Sequence, residues 1–407
     1  MSLGLGGRTC VGYGSSDRFT GQLLFECSLE GQGPAAKLLA AKRLDGTPEF
    51  RPTMFRAAIR GMALRLFGGV TDAKTARLVV SRLFGSISPD DDKEVNVGLL
   101  ATSYTDATWE LEPFGSSNHS HHTYATSGRL QWRQMRAFER GEDERLVAEL
   151  LAALHGITLS LGGFGRSWRR PDHRIFRPRY AKSPIGCHWQ WRDVASLPAW
   201  VHVQSPEALS QLLQRSRQIA CDWLQATGQS SGPPAAWREV LHPQRTRIWT
   251  RTATGPDNAA AISWFHQAPM EGDRSNAESN PLNLKGTLLA GQMNQVGLIW
   301  NRLLPLLEQG RAPQTAQAGA AKASNTVAQP GRAAAFVRPA RPGQRPAQTQ
   351  QPRGAVSIAA HQGRYLESLL LHPLPRDAHA DAREHHQRFI EAMKGGAGAN
   401  FQHLDWS

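Results

Sequence analysis

Gly162-Gly163-Phe164-Gly165-Arg166-Ser167-Trp168-Arg169-Arg170 places three glycines, two aromatic residues and three arginines in one short stretch. Glycine lets a backbone come close to a neighbour. Arginine supplies a fork of charged donors for phosphate, and an aromatic ring offers a face on which a base can stack. The combination suits a sugar-phosphate backbone better than a small substrate. The stretch is not a phosphate-binding P-loop, because no Gly-Lys-Ser/Thr follows, and it lacks the third glycine and acidic partner of a dinucleotide site. A second candidate is Arg51-Pro52-Thr53-Met54-Phe55-Arg56-Ala57-Ala58-Ile59-Arg60-Gly61, a turn feeding a helix with Arg56 and Arg60 one turn apart. Open N–H groups at a helix start attract phosphate, and the two arginines could clamp it. They would equally serve as a solvated helix face. A third stretch, Gly286-Thr287 and then Gln295 to Pro305, carries Arg302 within a mainly apolar sequence. Trp300, Leu303 and Leu304 read as core, and Arg302 as the residue near RNA.

Hydrolytic constellations are sparse. The sequence has no HExxH and no paired-carboxylate motif. His119, His121 and His122 are spaced poorly for tetrahedral zinc and have no nearby cysteine, so they read as a polar loop. Asp17 and Asp45 stand in glycine-containing turns near the basic helix. Either could ligate a divalent metal such as Mg or orient a 2′-hydroxyl in RNA cleavage, and either could simply form its turn. No metal or other cofactor is called for unless the chain cleaves RNA.

Hydrophobic periodicity indicates the elements that would carry these residues. Strands are expected over 21–29, 38–43, 95–103, 108–112, 157–161, 246–252 and 260–266. Helices are expected over 53–67, 72–84, 142–155, 205–226, 295–307 and about 380–393. Irregular alternation with glycine-rich connections implies an α+β fold with helices on antiparallel sheets, not a regular parallel array.

The chain has 407 residues, 47 Lys+Arg and 34 Asp+Glu, and carries +13 at pH 7. Its pI is near 10.2. A polyanionic partner is the first implication. The charge is uneven: residues 311–354 hold seven basic residues and no acidic ones among Ala, Gln, Pro and Gly, and read as a disordered basic linker. Residues 1–310 carry +7 and residues 355–407 carry −1. Four scattered cysteines without a CxxC pair, and a glycine-rich start without an apolar core, point to a cytoplasmic chain. No run of apolar residues is long enough for a membrane span.

Three segments in order resemble one family. Arg51–Gly61 followed by Arg82-Leu83-Phe84-Gly85-Ser86, then Gly162–Arg170, then Gln295–Pro305, are similar to the helix-start, glycine-rich and C-terminal motifs of the RAMP superfamily. These are RRM-like subunits of type III CRISPR–Cas effector complexes. The resemblance covers most of the first 310 residues. It implies one or two ferredoxin-like (RRM-like) modules, at 1–160 and 161–310, followed by the linker at 311–354 and a C-terminal helical segment at 355–407. It further implies a subunit that holds guide RNA, and the guide–target duplex, among other subunits of an effector complex in antiviral defence. Arg56, Arg60, Arg166, Arg169, Arg170 and Arg302 would bind phosphate; Gly162, Gly163 and Gly165 would allow close approach; Phe164 or Trp168 would stack. Two further readings compete: a metal-dependent endoribonuclease subunit acting on target RNA through Asp45 or Asp17, and a scaffold that recruits partners through its C-terminal region and binds no nucleic acid.

Overall fold

Leu24, Phe25, Cys27 and Leu29 are buried while Glu26, Ser28 and Glu30 are only partly so, the period-two pattern of a strand with one covered face. This is β1 (Leu23–Pro34). A computed structural model of the chain describes residues 21–38, 47–87, 95–114, 121–176, 186–255, 258–266, 282–292, 295–306, 363–395 and 400–407. Gly31–Pro34 form the second half of β1, pairing Gly31 with Thr126 and Gly33 with Tyr124. The two glycines fit there because the Trp189 and Tyr124 rings occupy the space their Cβ atoms would take.

The first unit continues with α1 (Thr53–Gly68) and α2 (Ala73–Phe84), the latter capped by the Asp72 carboxylate accepting from Lys74 N and Thr75 N. Then come β2 (Leu100–Phe114), β3 (His121–Gln134), α3 (Glu144–Leu161), a short α4 (His173–Phe176), β4 (His188–Asp193) and α5 (Pro206–Ala226). The two strands expected within 95–112 are one strand, β2, with an irregular register between Thr105 and Thr108. The histidine loop is in part the start of β3.

The second unit contains β5 (Arg247–Ala253), α6 (Ala260–His266), β6 (Ile299–Pro305), β7 (Tyr365–Leu371), α7 (Ala380–Lys394) and β8 (Gln402–His403). Each unit has a four-stranded sheet, ordered β2-β3-β1-β4 in the first and β6-β7-β5-β8 in the second. Every pairing within both is antiparallel. The fold is therefore mixed α+β, as expected. The C-terminal residues contribute a strand to the middle of the second sheet as well as the expected helix. The basic stretch 311–354 lies outside the described residues.

Three elements differ from expectation. Ile157–Leu161 is the last turn of α3, not a strand. That turn is buried all round, so its residues are uniformly apolar or small and show no helical stripe. Residues 260–266 form α6, not a strand. Residues 299–305 form β6, not a helix: the strand is buried on both faces, so its apolar residues do not alternate and their spacing cannot separate it from a helix.

Trp300, Leu304, Leu366, Leu370 and Ile248 join the core of the first unit, which also holds Phe55, Leu130, Trp132 and Trp189. Ile299, Leu369, Leu371 and Trp249 pack with Ala261, Phe389 and Met393 of α6 and α7. The second sheet is thus sandwiched between the first unit and its own helices. At roughly 1.5–3 kcal/mol per buried large apolar side chain, this shared layer contributes substantially to holding the units together.

Candidate nucleic-acid interface

The glycine-rich stretch leaves the C-terminus of α3 and is stitched to the second sheet by Asn301 N donating to the Arg169 carbonyl at 3.1 Å. Gly165 (φ 87°) and Ser167 (φ 59°) are both left-handed, so the chain doubles back tightly around Arg166. Between this loop and the second unit lies a cleft of about 1150 Å³. Arg166, Arg169, Arg170 and, from the other side, Lys285 line it, and none of its described lining residues is acidic. Arg166, Arg170 and Lys285 are exposed.

Arg169 is held from behind. Its Nη2 lies 2.9 and 3.1 Å from the two Glu239 oxygens. Arg65 of α1 donates to the same carboxylate at 2.5 Å, and Arg238 at 2.9 Å. Burial by itself would raise the Glu239 carboxyl; the Arg65 charge and hydrogen bond, then Arg169, take it down to about 2. The guanidiniums of Arg65 and Arg169 sit 5.2 and 4.4 Å from the Trp168 ring centre. Trp168 meets Trp300 edge-on with centroids 4.7 Å apart. One carboxylate and two indoles therefore fix the loop against α1 and β6.

Several residues expected to touch a ligand are internal. Phe164 is fully buried, edge-on to Phe55 and Trp189, and cannot stack on a base. Trp168 borders the cleft, but its ring is engaged by Trp300 and two arginines. Arg56 is 8% exposed and donates to the carbonyls of Leu100 (2.7 Å) and Phe84, tying α1 to the end of α2 and the start of β2. Arg302 is 1% exposed and donates to Leu159 O at 3.0 Å and Trp189 O at 2.6 Å. Burial lowers its pKa to about 10, so it remains charged at neutral pH as a pin between the units. Both arginines point inward, and each donates to carbonyls of two different elements. Gly162 and Gly163 admit protein, not ligand: a Cβ at Gly162 would lie 2.6 Å from the Trp168 ring, and one at Gly163 2.9 Å from Cys187 Sγ. Arg60 is exposed on α1. Asp17 and Asp45 lie outside the described residues.

The structure adds residues that the sequence did not single out. Lys285, His173, Phe176, Phe265 and His266 complete the cleft, and Glu239 holds its loop. Lys285-Gly286 stood beside a stretch already noted, but nothing in the sequence connects Glu239 or α6 to the loop. Among the described residues, no group of three or more His, Cys, Asp or Glu is placed to hold a metal ion, and no helix is long and apolar enough to cross a membrane. Neither a scan against protein-family models nor a comparison with curated proteins finds a match.

Proposed function

We propose that this chain is an RNA-binding subunit of the RAMP type, holding guide RNA and its hybrid with target through sugar-phosphate contacts in a type III CRISPR–Cas effector complex. The observation that carries the reading is the cleft. It brings residues from two of the three motif segments, Arg166–Arg170 and Val296–Asn301, to one basic surface completed by Lys285. Guanidinium and ammonium groups there can neutralise successive phosphates, while base pairing supplies sequence selectivity. The strand order and all-antiparallel pairing of both sheets support a further reading: each unit is a ferredoxin-like module, with β7, α7 and β8 completing the second.

Fluorescence anisotropy with labelled single-stranded RNA, on the full chain, tests this. Arg166→Ala with Arg170→Ala should weaken binding at least tenfold. It should also reduce the slope of log K against log salt by about 1.4, from roughly 0.7 per single-strand phosphate contact. Unchanged affinity and slope would sink the reading. Sequencing RNA that copurifies from native cells then separates a guide subunit, which carries a uniform guide population, from a general RNA binder.

A further inference from the structure

The two walls of the cleft differ chemically. The loop wall is cationic, with Arg166, Arg169 and Arg170, and Lys285 adds a charge from the second unit. The other wall comes from α4 and α6 and is aromatic. His173 and His266 meet edge-on, with centroids 4.7 Å apart at 83°, and Phe176 lies 5.1 Å from His173. Phe265 and His266 are half-buried at the cleft, while Ala261 and Trp264 of the same helix turn into the second unit's core.

A cationic wall alone suits any polyanion. A duplex presents phosphate and sugar outward and keeps its base faces stacked inside, so it has nothing to place on Phe265. An unpaired nucleotide exposes a phosphate and a flat, uncharged base face together. We infer that the cleft takes unpaired nucleotides of single-stranded RNA, with the backbone on Arg166, Arg170 and Lys285 and the bases against Phe265 and His266. This rests on the RNA reading above and narrows it: guide nucleotides enter the cleft unpaired, and duplexed stretches of a guide–target hybrid lie outside it. The stacking role expected of Phe164 and Trp168 passes to α6, an element of the other unit.

The test uses full-length protein and three labelled oligonucleotides of equal length at one salt concentration: oligouridylate, the same strand with abasic residues, and an RNA duplex. Wild-type protein should bind oligouridylate about tenfold more tightly than the abasic strand, the fold-change that one stacked base brings at about 1.4 kcal/mol. Phe265→Leu keeps apolar bulk against the core, with an unchanged melting curve as the check. It should bring oligouridylate affinity close to the abasic value and leave abasic binding unmoved, and His266→Ala should act in the same direction. Equal wild-type affinity for abasic and oligouridylate strands, or tighter binding of duplex, overturns the stacking inference. If Arg166→Ala with Arg170→Ala still weakens binding in that case, the backbone reading survives. Absence of binding to all three strands overturns both.

Discussion

Glu239 holds three arginines with one carboxylate, and its worth can be read from pH. With its carboxyl taken down to about 2 from an ordinary 4.5, it contributes stability that is fully present above pH 4.5. That stability is lost as pH falls toward 2. Glu239→Gln should cost on the order of 2–4 kcal/mol in chemical denaturation at pH 7, because three guanidiniums then face a neutral amide. It should also flatten the decline in stability between pH 4.5 and 2; equal acid sensitivity in both proteins would show that the carboxylate is not the holding group. At this scale the sequence revealed composition but not direction. Arg166 and Arg170 reach the cleft as their setting among glycines suggested, whereas Arg56 and Arg302, equally basic on paper, are buried and donate to backbone carbonyls. An arginine's neighbours in sequence do not record which carbonyls will come within its reach once helices and sheets pack.

α6 is a short helix whose position depends on one side chain from another element. The Glu367 carboxylate of β7 accepts from Ala260 N at 3.0 Å and Ala261 N at 2.9 Å, with Arg251 at 3.5 Å. Burial pushes its carboxyl up to about 7, so the folded protein favours the protonated form. Glu367 therefore adds most stability below about pH 4.5 and loses it as pH rises toward 7, the opposite sense to Glu239. Glu367→Gln should remove this component, so that unfolding free energy changes less between pH 4.5 and 7 than in the wild type; an unaltered profile would show that another group titrates there. Elements with one wet face were legible: α1, α2 and α5 fall within a few residues of their expected spans. The end of α3 and β6 were not, because elements covered on several sides lose the polar–apolar alternation that reports the period, and α6 was not because seven residues are too few to show one.

Across the whole molecule, β6 and β7 are antiparallel neighbours, with Pro305 opposite Tyr365 and Leu306 N donating to Arg364 O. The ends of the intervening stretch, with its seven basic residues, are thus already side by side. Replacing 308–362 with a short Gly-Ser turn should leave the melting temperature within a few degrees and reduce only the salt dependence of RNA binding. Truncation after 310 should instead unfold the second sheet, since it removes two of that sheet's four strands, including one from its middle. Circular dichroism melts of the two variants distinguish these outcomes; equal stability would contradict this arrangement. The sequence by itself determined the α+β class, the excess of positive charge and the stretch in which glycines, aromatics and arginines would be brought together. Tertiary structure alone decided which of those side chains face outward, which unit supplies the opposite wall of the cleft, and that residues beyond 360 belong to a sheet begun near 247. The physical reason is that local composition sets propensity and charge, whereas exposure and partnership depend on strand pairing and packing between residues more than a hundred positions apart.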